Sequence, residues 1–227
     1  MLRFPSSKTK PHRSLAMRLW YWWLYHICRL TAILFFRVRC EGRQHEPLEG
    51  GVLVISNHQS NFDPIIVGLA CRRRMNYVAR DTLFGFAPFR WLCRSLDAIE
   101  IDVDGSSLAG FKETLRRLKR GEMVLIFPEG GRTFDGEIDV FKPGFCSLAR
   151  RSRVKILPAA MEGAFHSWPI TRRLPWPTTI HVHLGRPLEA DQIAAMTDEQ
   201  LVTECEDRVQ ACHQAARQGR RRALRLA

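Results

Sequence analysis

The chain has 227 residues, 45% of them hydrophobic, which is enough for one sizeable core but hardly for two domains of ordinary size. Its 35 lysines and arginines outnumber 23 acidic residues, and the formal net charge of +12 predicts attraction to anionic surfaces such as membrane headgroups or nucleic acid. The seven cysteines have no metal-like spacing, which disfavours a zinc or disulfide framework and favours a reduced, cytosol-facing protein.

Residues 1–45 are predicted to be a basic leader followed by a membrane-associating helical segment. Residues 16–38 are rich in Trp, Tyr and Phe but are interrupted by Arg29, and no clean cleavage site is present, so a secretory signal is not expected. An arginine at the centre of a bilayer costs on the order of 2.5 to 3.5 kcal/mol, which favours a helix lying in the headgroup region. The alternative is a helix buried against the core.

Residues 46–190 alternate short apolar runs with helical patterns. This alternation predicts an α/β domain with a mixed, largely parallel central sheet flanked by helices. The expected strands are Val52–Ser56, Asn76–Ala79, Ala98–Val103, Met123–Phe127, Lys155–Ala159 and Thr179–Leu184. The expected helices are Pro64–Arg73, Ser106–Arg120 and Phe145–Arg151.

The first polar cluster, residues 57–63, leaves a predicted strand on a loop, which is where α/β folds place their chemistry. His58 can accept a proton from a hydroxyl, and Asp63 can orient its other ring nitrogen. On one regular helix the two side chains would lie about 140° apart, so they meet only if His58 is still in the loop when Asp63 enters the helix. Alternatively, Asp63 is an ordinary N-cap before Pro64 and His58 is a loop residue.

The second polar cluster, residues 127–133, follows another predicted strand and has the composition of an anion site. Its glycines can bring backbone N–H groups close to a phosphate, its arginine can make two hydrogen bonds to one, and its threonine adds a hydroxyl. Its glutamate is expected to hold the hydroxyl group of a substrate that accepts a transferred group, or to orient the arginine. The alternative is a plain surface turn. The candidate binding residues are Glu129, Gly130, Gly131, Arg132, Thr133 and Lys142.

Residues 191–227 are predicted to be a C-terminal helix with a basic tail. Thr197 and Gln200 are spaced as a capping box, which opens a helix expected to end near Ala215 or Ala216. The arginine-rich remainder is expected to fray, either touching phospholipid or solvated.

Two other kinds of site are not expected. His181 and His183 share one face of a predicted strand, but solvated edge residues are a better interpretation than a metal pair. Cys146 is not expected to be a nucleophile, because no sequence feature would lower the pKa of its thiol.

Together the two clusters resemble the hallmark motifs of the glycerolipid acyltransferases, specifically the 1-acyl-sn-glycerol-3-phosphate (lysophosphatidate) acyltransferase group. The resemblance covers roughly residues 51–163. It implies a membrane-associated α/β acyltransferase domain in which His58 and Asp63 are catalytic and Asn57 joins the substrate-binding residues. The residues that carry it are Asn57, His58, Asp63, Phe127, Pro128, Glu129, Gly130 and Arg132.

The chain departs from the family pattern at two positions near the expected acceptor site. The family's intermediate motif usually ends in an arginine, but residues 98–104 place Val103 or Asp104 there. Gly131 also stands where the family commonly has threonine or another hydroxyl residue. Both departures bear on the identity of the acceptor more than on acyl transfer itself.

The resemblance implies transfer of a fatty acyl chain from acyl-CoA or acyl carrier protein to lysophosphatidate, giving phosphatidate in phospholipid biosynthesis. We expect a phospholipid membrane surface as partner, a catalytic domain facing the cytoplasm, no cofactor, no metal and no nucleic-acid partner. Two alternatives remain open. One is the same chemistry on glycerol 3-phosphate or another lysolipid, and the other is a non-catalytic protein that binds anionic membranes.

Overall fold

A seven-stranded sheet forms the centre of the protein, whose computed structural model describes residues 15–80, 99–101 and 108–225. Within these residues the strand order is β1-β7-β6-β2-β5-β3-β4. Strands β2 to β6 run parallel, whereas β7 pairs antiparallel with β6 and β1 follows the direction of β7. The prediction of a mixed, largely parallel sheet is therefore confirmed. The strands are β1 Arg39–Glu41, β2 Val52–Ser56, β3 Met75–Arg80, β4 Ile99–Ile101, β5 Met123–Ile126, β6 Lys155–Glu162 and β7 His181–Leu184.

Helices cover both faces of this sheet, as expected. Of the predicted elements, residues 98, 102, 103, 106 and 107 lie outside the described part of the chain, as do residues 1–14 of the leader and residue 104 of the intermediate motif. The helices are α1 Leu15–Phe36, α2 Asp63–Ala70, α3 Leu108–Lys119, α4 Gly144–Ser152, α5 Ala164–Ser167, α6 Ala190–Ala195 and α7 Asp198–Arg225, with a 3₁₀ turn at Arg43–His45.

The central strand β2 shows why an uninterrupted apolar run forms a buried strand here. Its five residues are all buried, and alternate side chains enter two different hydrophobic clusters. Leu53 and Ile55 pack on the face that contains α3, α4 and α7, whereas Val52 and Val54 pack on the face that contains α2. Because both faces are covered, the strand reads as continuously hydrophobic instead of alternating.

The C-terminal helix does not fray where the sequence suggested. The capping box at Thr197 and Gln200 is present, but α7 continues through the arginine-rich tail to Arg225. Gly219 and Ala223 extend its buried stripe, and a side chain at position 219 would collide with the ring of His181. The prediction of a frayed tail was wrong because Gly219 and Ala223, which pack on the sheet, are small residues within an arginine-rich sequence and form no recognisable hydrophobic pattern.

Strand β1 was not predicted, and it changes the surroundings of the histidines on β7. It pairs with β7 through the register Arg39↔His181 to Glu41↔His183, so β7 is an interior strand. His181 is consequently buried, and the expectation of two solvated edge histidines was wrong for it.

Helix α1 is largely exposed, and of its residues only Ala32 is buried. The alternative of a helix buried in the core therefore does not hold. No helix in the described part of the chain combines the length and the apolar character needed to cross a membrane.

Both polar clusters singled out in the sequence lie at one edge of the sheet. The carboxyl ends of β2, β5 and β6 lie side by side at this edge because these strands are parallel and adjacent. The α1–β1 connection reaches the same edge, where Ile180 donates its backbone N–H to Phe36 O at 3.1 Å. Both polar clusters therefore converge there, as is usual for α/β folds.

Candidate active site

His58 and Asp63 form a direct pair at the carboxyl end of β2. His58 remains in the loop while α2 begins at Asp63, and His58 Nδ1 lies 2.8 Å from Asp63 Oδ2. The N-cap of α2 is Phe62, so the interpretation of Asp63 as an ordinary cap does not hold. The Asp63 side chain is fully buried, whereas 19% of the His58 side chain is exposed. The imidazole is thus bonded to the protein through Nδ1 and is partly exposed to solvent elsewhere.

One carboxylate oxygen of Asp63 organises the whole loop. In addition to the His58 ring, Asp63 Oδ2 accepts the backbone N–H groups of Gln59 at 2.5 Å and Ser60 at 2.7 Å. The other oxygen, Oδ1, is buried without a hydrogen-bond partner within the described residues. Burial raises the pKa of Asp63 above its ordinary value, and the hydrogen bonds from His58 and the two amides oppose that shift only in part.

Glu129 fixes the two loops relative to each other. Its Oε1 accepts the backbone N–H of His58 at 2.7 Å, and its Oε2 accepts the backbone N–H of Asp139 at 3.2 Å. Both oxygens are therefore used to hold backbone, a role that the sequence did not indicate. Burial raises the pKa of Glu129 from 4.5 to about 7.

Phe127 supports the His58 ring, and sequence reasoning gave it no function. The two rings are stacked with centroids 4.0 Å apart and planes inclined by 13°. Thr133 adds a second constraint, because its backbone N–H donates to His58 O at 2.8 Å. The second cluster thus positions the histidine of the first through both a ring and a backbone contact.

The glycine turn of the second cluster places Lys142 beside it. Gly130 has φ +75° and donates its N–H to Phe127 O at 3.1 Å, so this amide closes the turn. A side chain at position 130 would meet Lys142 Nζ at 2.8 Å, which means that the ammonium group packs directly over the turn. Gly131 and Arg132 follow and are half-buried. The structure therefore brings Lys142 to the turn that contains Gly130, Gly131 and Arg132.

Two of the predicted substrate-binding side chains make internal bonds instead. Asn57 is buried, donates Nδ2–H to Met161 O at 3.0 Å and accepts the Met161 N–H at Oδ1, also at 3.0 Å. The Thr133 hydroxyl donates to Asp135 Oδ1 at 2.7 Å and accepts the Gly136 N–H at 3.2 Å. Asn57 thus joins β2 to β6, and Thr133 shapes its own loop.

Replacing Asn57 with leucine is expected to destabilise the fold, because the N–H and C=O groups of Met161 would stay buried without partners. We expect the free energy of unfolding to fall by about 2 to 4 kcal/mol, as measured by chemical denaturation. Asn61→Ala is the matched control, since Asn61 is an exposed asparagine of the same loop. An equal effect of both substitutions would contradict the interpretation.

Gln59 extends the network from the His58 loop to the C-terminal helix, a role that no sequence pattern indicated. Its Nε2 donates to Gly136 O at 2.7 Å, and its Oε1 accepts the Phe165 N–H at 3.3 Å. His213 of α7 lies 3.4 Å from Gln59 Nε2 and donates Nε2–H to Glu162 Oε2 at 2.9 Å. The buried Gln59 therefore connects three loops at the same edge of the sheet.

The raised pKa of Glu129 predicts a pH-dependent stability. Between pH 4.5 and about 7 the folded state holds more protons on this group than the unfolded state does. Stability from this group is therefore present at low pH and is lost as the pH rises toward 7, by about 3 kcal/mol. Denaturation series across this range should show a shallower decline for Glu129→Gln than for the wild type. Glu49→Gln changes an exposed glutamate and should keep the wild-type slope, so a Glu129→Gln slope equal to it would contradict the prediction.

The described cysteines offer no activated thiol. Burial raises the pKa of Cys146 to about 11, which leaves its thiol protonated at neutral pH. Among residues 15–80, 99–101 and 108–225, no group of three or more His, Cys, Asp or Glu side chains is arranged to hold a metal ion.

Comparison with known proteins relates this site to one family. The sequence profile described as Acyltransferase matches residues 37–162. A protein of Mycoplasma genitalium named "Probable 1-acyl-sn-glycerol-3-phosphate acyltransferase" is 32% identical over 130 residues, which are 54% of this chain and 48% of that protein. The 1-acyl-sn-glycerol-3-phosphate acyltransferase of Bacillus subtilis is 26% identical over 203 residues, covering 82% of this chain and 98% of that protein.

A solved structure shows the same fold. The crystal structure of the 1-acyl-sn-glycerophosphate acyltransferase from Thermotoga maritima superimposes with a TM-score of 0.73 at 22% sequence identity, covering 89% of this chain and 80% of that chain. The present chain spans about half the length of the Mycoplasma relative and nearly the whole length of the Bacillus relative.

Proposed function

Because this chain belongs to the acyltransferase family, we propose that it transfers a fatty acyl chain from a thioester donor to the free hydroxyl of lysophosphatidate, giving phosphatidate. The single observation that carries the proposal is the His58–Asp63 pair, 2.8 Å between Nδ1 and Oδ2, held against the Glu129–Arg132 loop at one edge of the sheet. A base beside a cationic turn fits a hydroxyl nucleophile that carries a phosphate.

The proposed reaction is direct transfer in a complex of both substrates. Because His58 Nδ1 faces Asp63, the neutral ring carries its proton there and has its lone pair on Nε2. Nε2 removes the proton of the acceptor hydroxyl as that oxygen attacks the thioester carbonyl carbon. A carbon–oxygen bond forms, the carbon–sulfur bond breaks, and the departing thiolate takes the proton back from His58. Asp63 stabilises the imidazolium between these steps.

Arg132 is proposed to bind the acceptor phosphate together with Lys142 and the backbone N–H of Gly131, because the N–H of Gly130 already closes the turn. The ammonium of Lys142 packs over Gly130, and Arg132 follows two residues later on the same loop. A guanidinium can make two charge-assisted hydrogen bonds to one phosphate. This arrangement supports a phosphorylated acceptor despite the departures from the family pattern at 103–104 and 131.

The donor and the cellular setting are part of the same proposal. Acyl-CoA and acyl carrier protein both present a thioester, and either serves the chemistry. The exposed apolar side chains of α1 and the net charge of +12 support a membrane-associated enzyme. The free thiols of the described cysteines support a cytoplasmic orientation of the catalytic domain.

The test is acyl transfer by the purified chain, with a panel of acyl-CoA and acyl-carrier-protein donors offered against lysophosphatidate, glycerol 3-phosphate and neutral lysolipids. We expect phosphatidate to be the dominant product. Preferential acylation of glycerol 3-phosphate or a neutral lysolipid would keep the chemistry and overturn the acceptor. Absence of transfer to every acceptor, with intact folding and vesicle binding, would overturn the enzyme assignment.

Arg132→Ala tests the phosphate contact separately from the chemistry. We expect KM for lysophosphatidate to rise about 10- to 100-fold, the equivalent of one lost charge-assisted contact, with a smaller change in kcat. Arg120→Ala is the control, because Arg120 is exposed near the opposite edge of the sheet, before β5. An unchanged KM in Arg132→Ala would assign phosphate binding to other groups.

A further inference from the structure

The loop that follows α5 displays large apolar side chains on a fixed base. We call residues 168–176 the display loop. Leu174 is 76% exposed and Trp176 is 69% exposed. The base is closed by two hydrogen bonds, from Trp176 N to Ser167 O and from Ser167 Oγ to Trp176 O, both 2.9 Å long. The apolar side chains are therefore held outward by an ordered backbone.

Internal bonds also order the turn of the display loop. Arg172 donates its backbone N–H to Pro169 O at 3.1 Å, and Trp168 donates Nε1–H to Arg172 O at 3.0 Å. Because the turn is already satisfied by its own groups, exposing Leu174 and Trp176 is a property of the folded loop. Such display of a tryptophan to water is unfavourable unless another surface covers it.

The positive charges of the display loop indicate that the surface it binds is anionic. Arg172 and Arg173 lie between its apolar residues, and residues 163–188 contain no aspartate or glutamate. Tryptophan and leucine beside arginines, without carboxylates, are the composition of segments that lie at the level of phospholipid headgroups. Anionic lipid attracts such cations over a distance of about one Debye length, roughly 10 Å.

The display loop is continuous with both α1 and the candidate active site. The Trp168 and Phe62 rings are 4.8 Å apart, and the Phe62 and Phe36 rings are 5.0 Å apart. Phe36 ends α1, and Phe62 directly precedes Asp63. A row of aromatic rings thus runs from the exposed helix, across the His58 loop, to the display loop. The exposed apolar residues of α1 include Leu19, Trp22, Trp23, Ile33 and Leu34.

We propose that the display loop is a second membrane contact, in which Leu174 and Trp176 enter the headgroup–acyl boundary of an anionic bilayer beside α1. The occupant is a lipid surface because the loop combines cations with apolar side chains and continues the apolar helix. The inference rests on the proposed function, since a lipid acceptor must reach His58 from a bilayer. Because the two membrane contacts, α1 and the display loop, lie on either side of the Phe62 ring, the His58 edge of the sheet faces the lipid.

The first experiment locates Trp176 directly. The full chain is bound to phosphatidylglycerol–phosphatidylcholine vesicles whose acyl chains carry bromine, and its fluorescence is compared with that of Trp176→Phe. The difference between the two spectra is the emission of Trp176, and we expect bromine to quench it. A difference spectrum that bromine leaves unchanged, while the protein stays bound to the vesicles, would overturn the proposal whatever the contribution of α1.

The second experiment measures the consequence for binding. Leu174→Ser combined with Trp176→Ser is expected to weaken partition into the same vesicles by at least about tenfold. Leu48→Ser is the control, because Leu48 is 58% exposed and precedes β2, at the edge of the sheet opposite His58. Equal partition of the double variant and the control would overturn the proposal. The proposal would also be overturned if the double variant lost self-association but still bound the vesicles, because that result would identify a protein as the partner of the loop.

The activity assay separates this inference from the proposed function. The double variant is expected to keep its rate on a short-chain lysophosphatidate dispersed as monomers and to lose rate on the acceptor in vesicles. Equal losses on both acceptors would mean that the loop acts on the site and would overturn the membrane role. Absence of wild-type activity on either acceptor would overturn the proposed function, and the quenching result would still decide the membrane contact.

Discussion

Replacing His58 with alanine is expected to lower kcat by about 10²- to 10⁴-fold, the range that a general base contributes. KM for both substrates should change little, because the imidazole acts on the proton and not on the phosphate or the acyl chain. The measurement is steady-state acyl transfer with saturating donor and acceptor. Circular dichroism and thermal unfolding of the same variant would verify that the fold survives.

The control for His58→Ala is another histidine at the same edge of the sheet. His166→Ala removes a side chain that is 55% exposed and whose Nε2 lies 3.8 Å from Glu162 Oε1. We expect near wild-type rates for it. Retention of most activity in His58→Ala would show that the base lies elsewhere, and an equal loss in both variants would point to a general effect on the loops.

Asp63→Asn is expected to have the second large effect, a fall in kcat of about 10²- to 10⁴-fold with the fold retained. The amide oxygen can occupy the place of Oδ2 and keep the hydrogen bonds from His58, Gln59 and Ser60. The amide nitrogen then takes the place of Oδ1, which has no partner among the described residues. The variant therefore removes the negative charge that stabilises the imidazolium while preserving the geometry. Steady-state kinetics and chemical denaturation provide the measurement.

Asp63→Ala distinguishes charge from positioning. It also removes the acceptor for the Gln59 and Ser60 amides, so its free energy of unfolding should fall below that of Asp63→Asn by about 1 to 3 kcal/mol. If Asp63→Asn keeps the wild-type rate while Asp63→Ala loses it, Asp63 serves only to position the His58 ring. If both variants unfold equally easily, the contacts to the two backbone amides are not what stabilises the loop.

The sequence predicted the candidate catalytic pair because its requirements are local. An apolar run, a polar loop and a proline at the helix start fix a strand, a turn and α2 within a few residues, and the spacing of His58 and Asp63 then permits contact. The structure has this arrangement. The binding roles proposed for Arg132 and Lys142 remain predictions, although their loop does pack against the His58 loop through Glu129 and Phe127.

The roles of Asn57, Glu129 and Gln59 depend on partners that are distant in sequence. Asn57 bonds Met161, which is 104 residues away, and Glu129 bonds the His58 amide 71 residues away. A polar residue in a loop has the same local pattern whether it binds a substrate or a distant backbone group. Only the folded arrangement shows that these side chains hold the loops together.

By itself, the sequence determined the α/β class, most of the parallel strands and the two polar clusters, because hydrophobic periodicity and turn residues act over a few positions. The tertiary structure decided where α7 ends, because Gly219 allows its tail to pack against His181. It also decided the raised pKa of Glu129, because that shift arises from burial between two loops. Packing and desolvation join residues far apart in the chain, so no local pattern records them.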